Sequence, residues 1–293
     1  MPIPRIRFRG VTKRFAGITA LRDVSFDVAP GSCHAICGEN GAGKSTLGRI
    51  LAGVHTHDAG IVELDGAAVR FGSPREALAA GVAMVHQEPA FCDNLTVGDN
   101  LCLQHLPRRF GLVDEGALRR RALELLDATG ARIDPARPMD SLSVAEQQLV
   151  QIAAAVGEGA KVIIFDEPTS SLGHAEAERL FALIGTLQQR GVTLLYVSHR
   201  MPELFALCDA ITVLRDGQHV ATQPSAALSE PTLVQQMIGR TIGEYLPSHA
   251  SRRRGEERLR AERLSSPGKF ADLSFTVHSG EVVGLAGLVG AGR

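Results

Sequence analysis

The sequence contains no apolar run approaching the roughly 18 to 20 residues that a membrane helix needs. Its start, Met1-Pro2-Ile3-Pro4-Arg5-Ile6-Arg7, lacks the apolar core of a signal peptide. These two absences predict a cytosolic chain whose membrane contacts go through a partner. No charge of one sign dominates: 31 Lys plus Arg face 32 Asp plus Glu. That balance removes the electrostatic case for nucleic acid or an anionic membrane as a general partner. Cysteine is sparse, with five residues scattered at 33, 37, 92, 102 and 208. Cys33 and Cys37 fall on a predicted buried strand, where they act as small apolar packing. No close cluster of further ligands marks a metal site of its own.

What is present is ordinary for a globular chain: 44% hydrophobic and 22% charged residues over 293 positions, a length that suggests about two domains. The organising stretch is Gly38-Glu39-Asn40-Gly41-Ala42-Gly43-Lys44-Ser45-Thr46. It fits the pattern G-x-x-x-x-G-K-[ST] of phosphate-binding loops. Cys33 to Cys37 reads as a short strand before it, and Thr46 to Ala52 as a helix after it. Strand, glycine loop and helix form the context that separates this motif from a chance glycine-rich turn. Glycines let successive N–H groups converge on one anion, and the helix start adds its positive end. Lys44 would reach the β- and γ-phosphates, and the Ser45 hydroxyl would hold Mg²⁺.

Around this loop the pattern is α/β. Residues 5–36 read as short strands, with alternation over Arg5 to Arg9 and Ser25 to Val28. Phe15 between them offers a ring face on which an adenine could stack, although composition alone favours a core aromatic. A strand is predicted over 60–66, a short helix over 74–80 and a buried strand over 82–86, ending at Gln87. From about 96 to 157 the pattern turns helical, an insert within the α/β domain spanning about 92–158. Its last helix starts near Ser143, with Glu146 three residues on as in a capping box. Lys161 to Thr169 reads as a central parallel strand ending in Asp166 and Glu167, which would face a ligand. A helix over about 174–190 precedes a strand that ends in His199. A hairpin over 210–220 and a short helix over 231–239 follow.

Residues 3–244 thus read as one domain. The polar stretch 245–258, including Arg252-Arg253-Arg254, reads as a solvated linker, because Glu256 and Glu257 offset its charge. After it an earlier segment repeats. Val24 to Gly31 reappears as Leu273 to Gly280, and at the same offset Gly38, Gly41, Gly43 and Lys44 fall on Gly287, Gly290, Gly292 and Arg293. A second nucleotide domain is therefore expected to begin near 259 and to occupy 259–293. So short a segment cannot form an α/β domain of its own, and is expected either as an extra hairpin or as a poorly ordered tail.

With these motifs in place the chain resembles the ABC transporter ATPases over residues 3 to about 240. Gly38 to Ser45 looks like Walker A and Gln87 like the Q-loop. Leu142-Ser143-Val144-Ala145-Glu146 looks like the signature usually written LSGGQ. Ile163 to Glu167 looks like Walker B, Ser170 to Gly173 like the D-loop, and His199 like the switch histidine. The Leu-Ser-Val-Ala-Glu-Gln-Gln run, Met237 to Arg240 and the second loop ending in Arg resemble the bacterial monosaccharide importers, in which two ATPase domains are fused.

The resemblance implies a P-loop nucleotidase fold with an N-terminal antiparallel β subdomain and an inserted helical subdomain. It implies ATP and Mg²⁺ as ligands. Glu167 would act as general base and His199 would contact the γ-phosphate. Gln87 would contact Mg²⁺ or water, and Ser45 and Asp166 would hold the ion. It also implies membrane permease subunits as partners on the inner face of the membrane, a solute-binding protein beyond them, and a second ATPase domain or a second copy. Each ATP would lie between the loop of one domain and the signature of the other. The unusual signature at Ser143 would then face the loop carrying Arg293, while Lys44 and Glu167 would need a second domain's signature, so that the chain alone hydrolyses ATP slowly. Gly173 stands where the D-loop usually has an acid. Two other readings stand beside it: a soluble ABC protein acting on ribosomes or DNA, and a truncated nucleotide-binding fragment.

Overall fold

A computed structural model of the chain describes residues 3–86, 91–170, 172–239 and 255–286. The chain divides into two compact units, Met1–Arg240 and Thr241–Arg293.

The first unit opens with β1 (Ile6–Phe15) and β2 (Ile18–Val28), then β3 (Cys33–Cys37) and α1 (Lys44–Leu51). It continues through β4 (Ala59–Leu64), β5 (Ala67–Val69), α2 (Pro74–Ala79) and β6 (Val82–Val85). The first two strands are longer than the short ones expected. Ala16 and Gly17, both at positive φ, close them into a hairpin, and register shifts between Phe8 and Arg14 absorb the irregular stretch. β1 also pairs with β4, so it is supported on both edges in a four-stranded antiparallel sheet ordered β2-β1-β4-β5.

The helical insert holds α3 (Val97–Cys102), the short strands β7 (Arg108–Arg109) and β8 (Leu112–Val113), α4 (Glu115–Ala128) and α5 (Val144–Gly157). The insert is helical as expected, with its last helix starting at Val144 after the Ser143 cap, and a small hairpin that the helical pattern did not show lies between α3 and α4. Phe110 and Gly111 sit at its tip with φ of 53° and 85°, a left-handed pair that a helix cannot contain. The three helices bury their own core, with Val97, Leu101, Leu118, Leu126, Met139 and Val150 packed together.

The chain then returns through β9 (Val162–Asp166), α6 (His174–Gln189), β10 (Thr193–Val197), α7 (Met201–Leu207), β11 (Ala210–Arg215), β12 (Gln218–Pro224) and α8 (Glu230–Ile238). A six-stranded sheet results, ordered β12-β11-β3-β10-β9-β6, parallel except for β12. Every residue of β3, β9 and β10 is buried, as in a sheet covered on both faces. Strand alternation sends Ile36, Ile164, Leu195 and Val197 to the face shared with Leu47 and Leu51 of α1. Ala35, Ile163, Phe165 and Tyr196 go to the other face, against Ile152, Leu183 and Leu204. Cys33 and Cys37 pack on this second face, as the sequence suggested.

The second unit is described over the antiparallel hairpin of β13 (Glu257–Ser266) and β14 (Phe270–His278). β14 coincides with most of the repeated segment. Residues 281–286, at the position equivalent to β3, form no strand. β3 exists because β10 and β11 satisfy its backbone on both edges, and no such pair stands beside 281–286 among the described residues.

Candidate functional site

Parallel pairing fixes where the loops gather. Val197 lies in register with Asp166 on one side and Ile36 on the other, so β3, β9 and β10 end level. The residues that follow them, 38–43, 167–170 and 198–200, therefore share the carboxyl edge of the sheet, where open α/β sheets bind ligands.

The loop after β3 needs its glycines for space as well as for rotation. Gly38 has φ 152°, and a Cβ there would stand 2.1 Å from the Leu214 carbonyl oxygen. Gly43, at φ 95°, caps α1, and a Cβ would fall 2.6 Å from both the Ala20 carbonyl oxygen and Leu21 Cδ2. Glu39, Asn40 and Gly41 are exposed, whereas Gly38, Ala42 and Lys44 are buried and Ser45 and Thr46 half-buried. Lys44 Nζ donates to the carbonyls of Gly38 and Glu39, each at 3.0 Å. Burial lowers its pKa, opposed chiefly by the carboxylates of Glu167 and Asp166. A cation held over a ring of backbone, at the start of an eight-residue helix, suits a chain of phosphates.

Beside it, Ser45 Oγ donates to Asp166 Oδ1 at 2.8 Å. Asp166 is 5% exposed, so the pair presents a hydroxyl and a buried carboxylate, the oxygen donors that Mg²⁺ takes. Glu167 adopts φ 49°, an uncommon conformation for a non-glycine residue. Its N–H donates to the Val197 carbonyl at 2.9 Å, and its Oε1 lies 3.1 Å from His199 Nδ1. The His199 ring is half exposed. A carboxylate and an imidazole in contact at an open edge can move a proton and orient a polar group.

Phe15 is not a core aromatic. It ends β1 at 38% exposure, its ring edge-on to His55 at 5.1 Å and Lys13 Nζ 5.1 Å from its centroid. Composition could not foresee this, because the place of Phe15 at a hairpin end decides its exposure. β1 lies beside β2, which brings Ala20 and Leu21 against Gly43.

Ser143 is exposed and caps α5. Its Oγ accepts from Glu146 N at 3.3 Å, and Glu146 Oε2 accepts from Ser143 N at 2.8 Å. Arg137 holds Glu146 at 2.6 Å and, with that hydrogen bond as the main cause, keeps its carboxyl below its ordinary pKa. No hydrogen bond among the described residues ties Ser143 to residues 38–46. Gly173 caps α6, with its N–H on Glu176 at 2.9 Å. Gln87, Ser171, Arg240, Gly287, Gly290, Gly292 and Arg293 lie outside the described residues, as does the Arg252 to Arg254 run.

A second layer lies behind this edge that no sequence pattern signalled. Gln148 Nε2 of α5 donates to the Pro168 carbonyl at 2.7 Å, joining the signature helix to the turn after Glu167. Glu203, buried in α7, takes hydrogen bonds from Thr169, Tyr196 and Ser198. A glutamate in a short helix reads as a solvated position, so periodicity carried no signal for it.

The ABC transporter family model matches residues 21–170. The chain is 44% identical over 293 residues to a ribose import ATP-binding protein of Streptomyces avermitilis, covering 100% of this chain and 58% of that protein. It is 47% identical over 289 residues to an arabinose import ATP-binding protein of Pseudomonas savastanoi pv. phaseolicola, covering 98% and 57%. The chain thus spans little more than half the length of these curated relatives. Among solved structures, a nucleotide-free ATP-binding cassette from an ABC transporter superposes with a TM-score of 0.71 at 26% identity, over 81% of this chain and 100% of that one.

Proposed function

The chain belongs to the ABC transporter family, and from that membership we propose that it is the ATP-binding and ATP-hydrolysing component of a bacterial monosaccharide importer. The observation that carries this reading is the convergence at one sheet edge of the Lys44 loop, the Ser45–Asp166 pair and the Glu167–His199 pair. Backbone N–H groups of 39–45 and the Lys44 ammonium hold the β- and γ-phosphates of ATP. Ser45 and Asp166 would hold Mg²⁺ and Gln87 would contact the ion or its water; bound there, the ion would neutralise phosphate charge. Glu167 takes the proton of the attacking water, and His199 holds the γ-phosphate against it. The Phe15 ring receives adenine, and its exposed face at the end of β1 supports that role.

The ribose and arabinose import proteins to which the chain is similar support a monosaccharide as the solute. No helix among the described residues is long and apolar enough to cross a membrane. In this reading the chain works on the cytoplasmic side of the inner membrane, held there by permease subunits that receive solute from a binding protein. A second ATPase domain supplies the signature opposite Lys44, and Ser143 serves the other nucleotide.

Affinity isolation of the tagged protein from detergent-solubilised cells tests this. Polytopic membrane subunits are expected to copurify, and disruption of the gene is expected to abolish growth on one pentose or hexose. Recovery with ribosomes or DNA, with sugar growth unaffected, would replace the transport reading by a soluble one.

A further inference from the structure

We propose that Glu203 is a positioning residue for hydrolysis: its carboxylate ties the turn carrying Glu167 to the loop carrying His199 and so sets their contact. The inference rests on the roles given to Glu167 and His199 above. Glu203 is 6% exposed, and α7 points it at the back of the site. Its Oε1 accepts from Thr169 Oγ1 at 2.6 Å and Arg200 Nη1 at 3.4 Å. Its Oε2 accepts from the Tyr196 hydroxyl at 2.8 Å and Ser198 Oγ at 3.1 Å. A carboxylate offers about four lone-pair sites, and all four are used.

The donors come from both loops. Thr169 lies two residues after Glu167, while Ser198 and Arg200 flank His199. Backbone bonds stiffen each side: Ser170 N–H donates to the Glu167 carbonyl at 3.2 Å, and Arg200 N–H to Ser198 Oγ at 3.1 Å. Burial, with Glu203 beside it, holds the Tyr196 phenol well above its usual pKa, so it remains a donor. An apolar residue of equal volume would fill the space but leave three hydroxyls without their shared acceptor. Glu203→Gln keeps the shape and turns one acceptor oxygen into an NH₂ donor. Placed at Oε1 it opposes Arg200, which cannot accept; placed at Oε2 it forces Tyr196 and Ser198 to turn. Either arrangement loosens one loop against the other.

The test compares the full chain with Glu203→Gln and the milder Thr169→Val. Fluorescent ADP titration, ATP turnover and hydrogen exchange over peptides 162–170, 193–203 and 33–51 are measured. The proposal expects ADP affinity and KM to stay within about threefold while kcat falls roughly tenfold or more in Glu203→Gln, because misplacing reacting groups acts on the chemical step. Peptides 162–170 and 193–203 should exchange faster together, with 33–51 unchanged, and Thr169→Val should show the same pattern more weakly. An unchanged kcat, a parallel loss of ADP binding and kcat, or faster exchange in one loop alone would overturn it. If Glu203→Gln does not fold, Thr169→Val decides. If the unaltered chain binds ATP but never turns it over, the hydrolysis reading fails, and the paired exchange response still decides whether Glu203 couples the loops.

Discussion

His34 gives the strand feeding the phosphate loop a calculable sensitivity to acid. It lies on β3 at 2% exposure, under the Phe26 ring at 5.5 Å, with Nε2 2.7 Å from Thr212 Oγ1. Thr212 passes on to Thr222 at 2.8 Å, and Thr222 to His219 at 2.8 Å. Burial, helped by His219, lowers the His34 pKa from 6.5 to about 4. Between those two values the unfolded chain binds a proton that the folded chain refuses, so stability falls as pH falls. The full difference is worth about 3 kcal/mol, of which about 2 kcal/mol is lost by pH 5. His34→Gln can keep the bond to Thr212 and cannot titrate. Urea unfolding of both proteins at pH 7.5 and pH 5.0 measures the effect. His57 and His86 are lowered chiefly by burial too and cancel in the comparison; His219, lowered by its own burial but interacting with His34, cancels only in part. The variant should gain about 2 kcal/mol relative to the parent on going to pH 5. A gap that does not change with pH would refute the buried, neutral imidazole.

Other substitutions separate binding from folding. Lys44→Met removes a buried ammonium whose charge burial already disfavours; calorimetry should show ATP affinity reduced by tenfold or more, about 1.4 kcal/mol at least, with the unfolding midpoint little moved. Gly38→Ala drives a Cβ to 2.1 Å from the Leu214 carbonyl, and denaturant unfolding should register a loss of about 1 to 3 kcal/mol together with weaker nucleotide binding. Ser143→Ala removes the side-chain cap of α5 and should lower stability by about 1 kcal/mol, while ADP binding by the Lys44 loop, read by fluorescence titration, stays the same.

The parts of this structure that a local pattern determines were legible in the sequence. Buried runs such as Val162–Asp166 have one sensible use in an α/β chain, and the Ser143–Glu146 capping box follows from two residues three apart. The parts set by tertiary placement were not. Phe15 reads as core by composition and lies at the surface, since a hairpin end rather than residue type decides its exposure. The length of β1 depends on bulges and on a partner strand far along the chain. Phe110 and Gly111 interrupt a helical pattern through backbone angles that periodicity does not report. Glu203 gains its meaning from Thr169 and Tyr196, which come from other strands and turns.

The central claim is that Glu167, held against His199 at 3.1 Å, drives hydrolysis of an ATP bound on the Lys44 loop and closed from the other side by a second signature. ATP turnover measured against protein concentration, for this chain and for Glu167→Gln, tests it most directly. A slow rate per chain is expected to climb with concentration, as two chains lend each other Ser143, and to fall to background in the variant. ATP bound at every concentration without turnover, or turnover indifferent to Glu167→Gln, would contradict it.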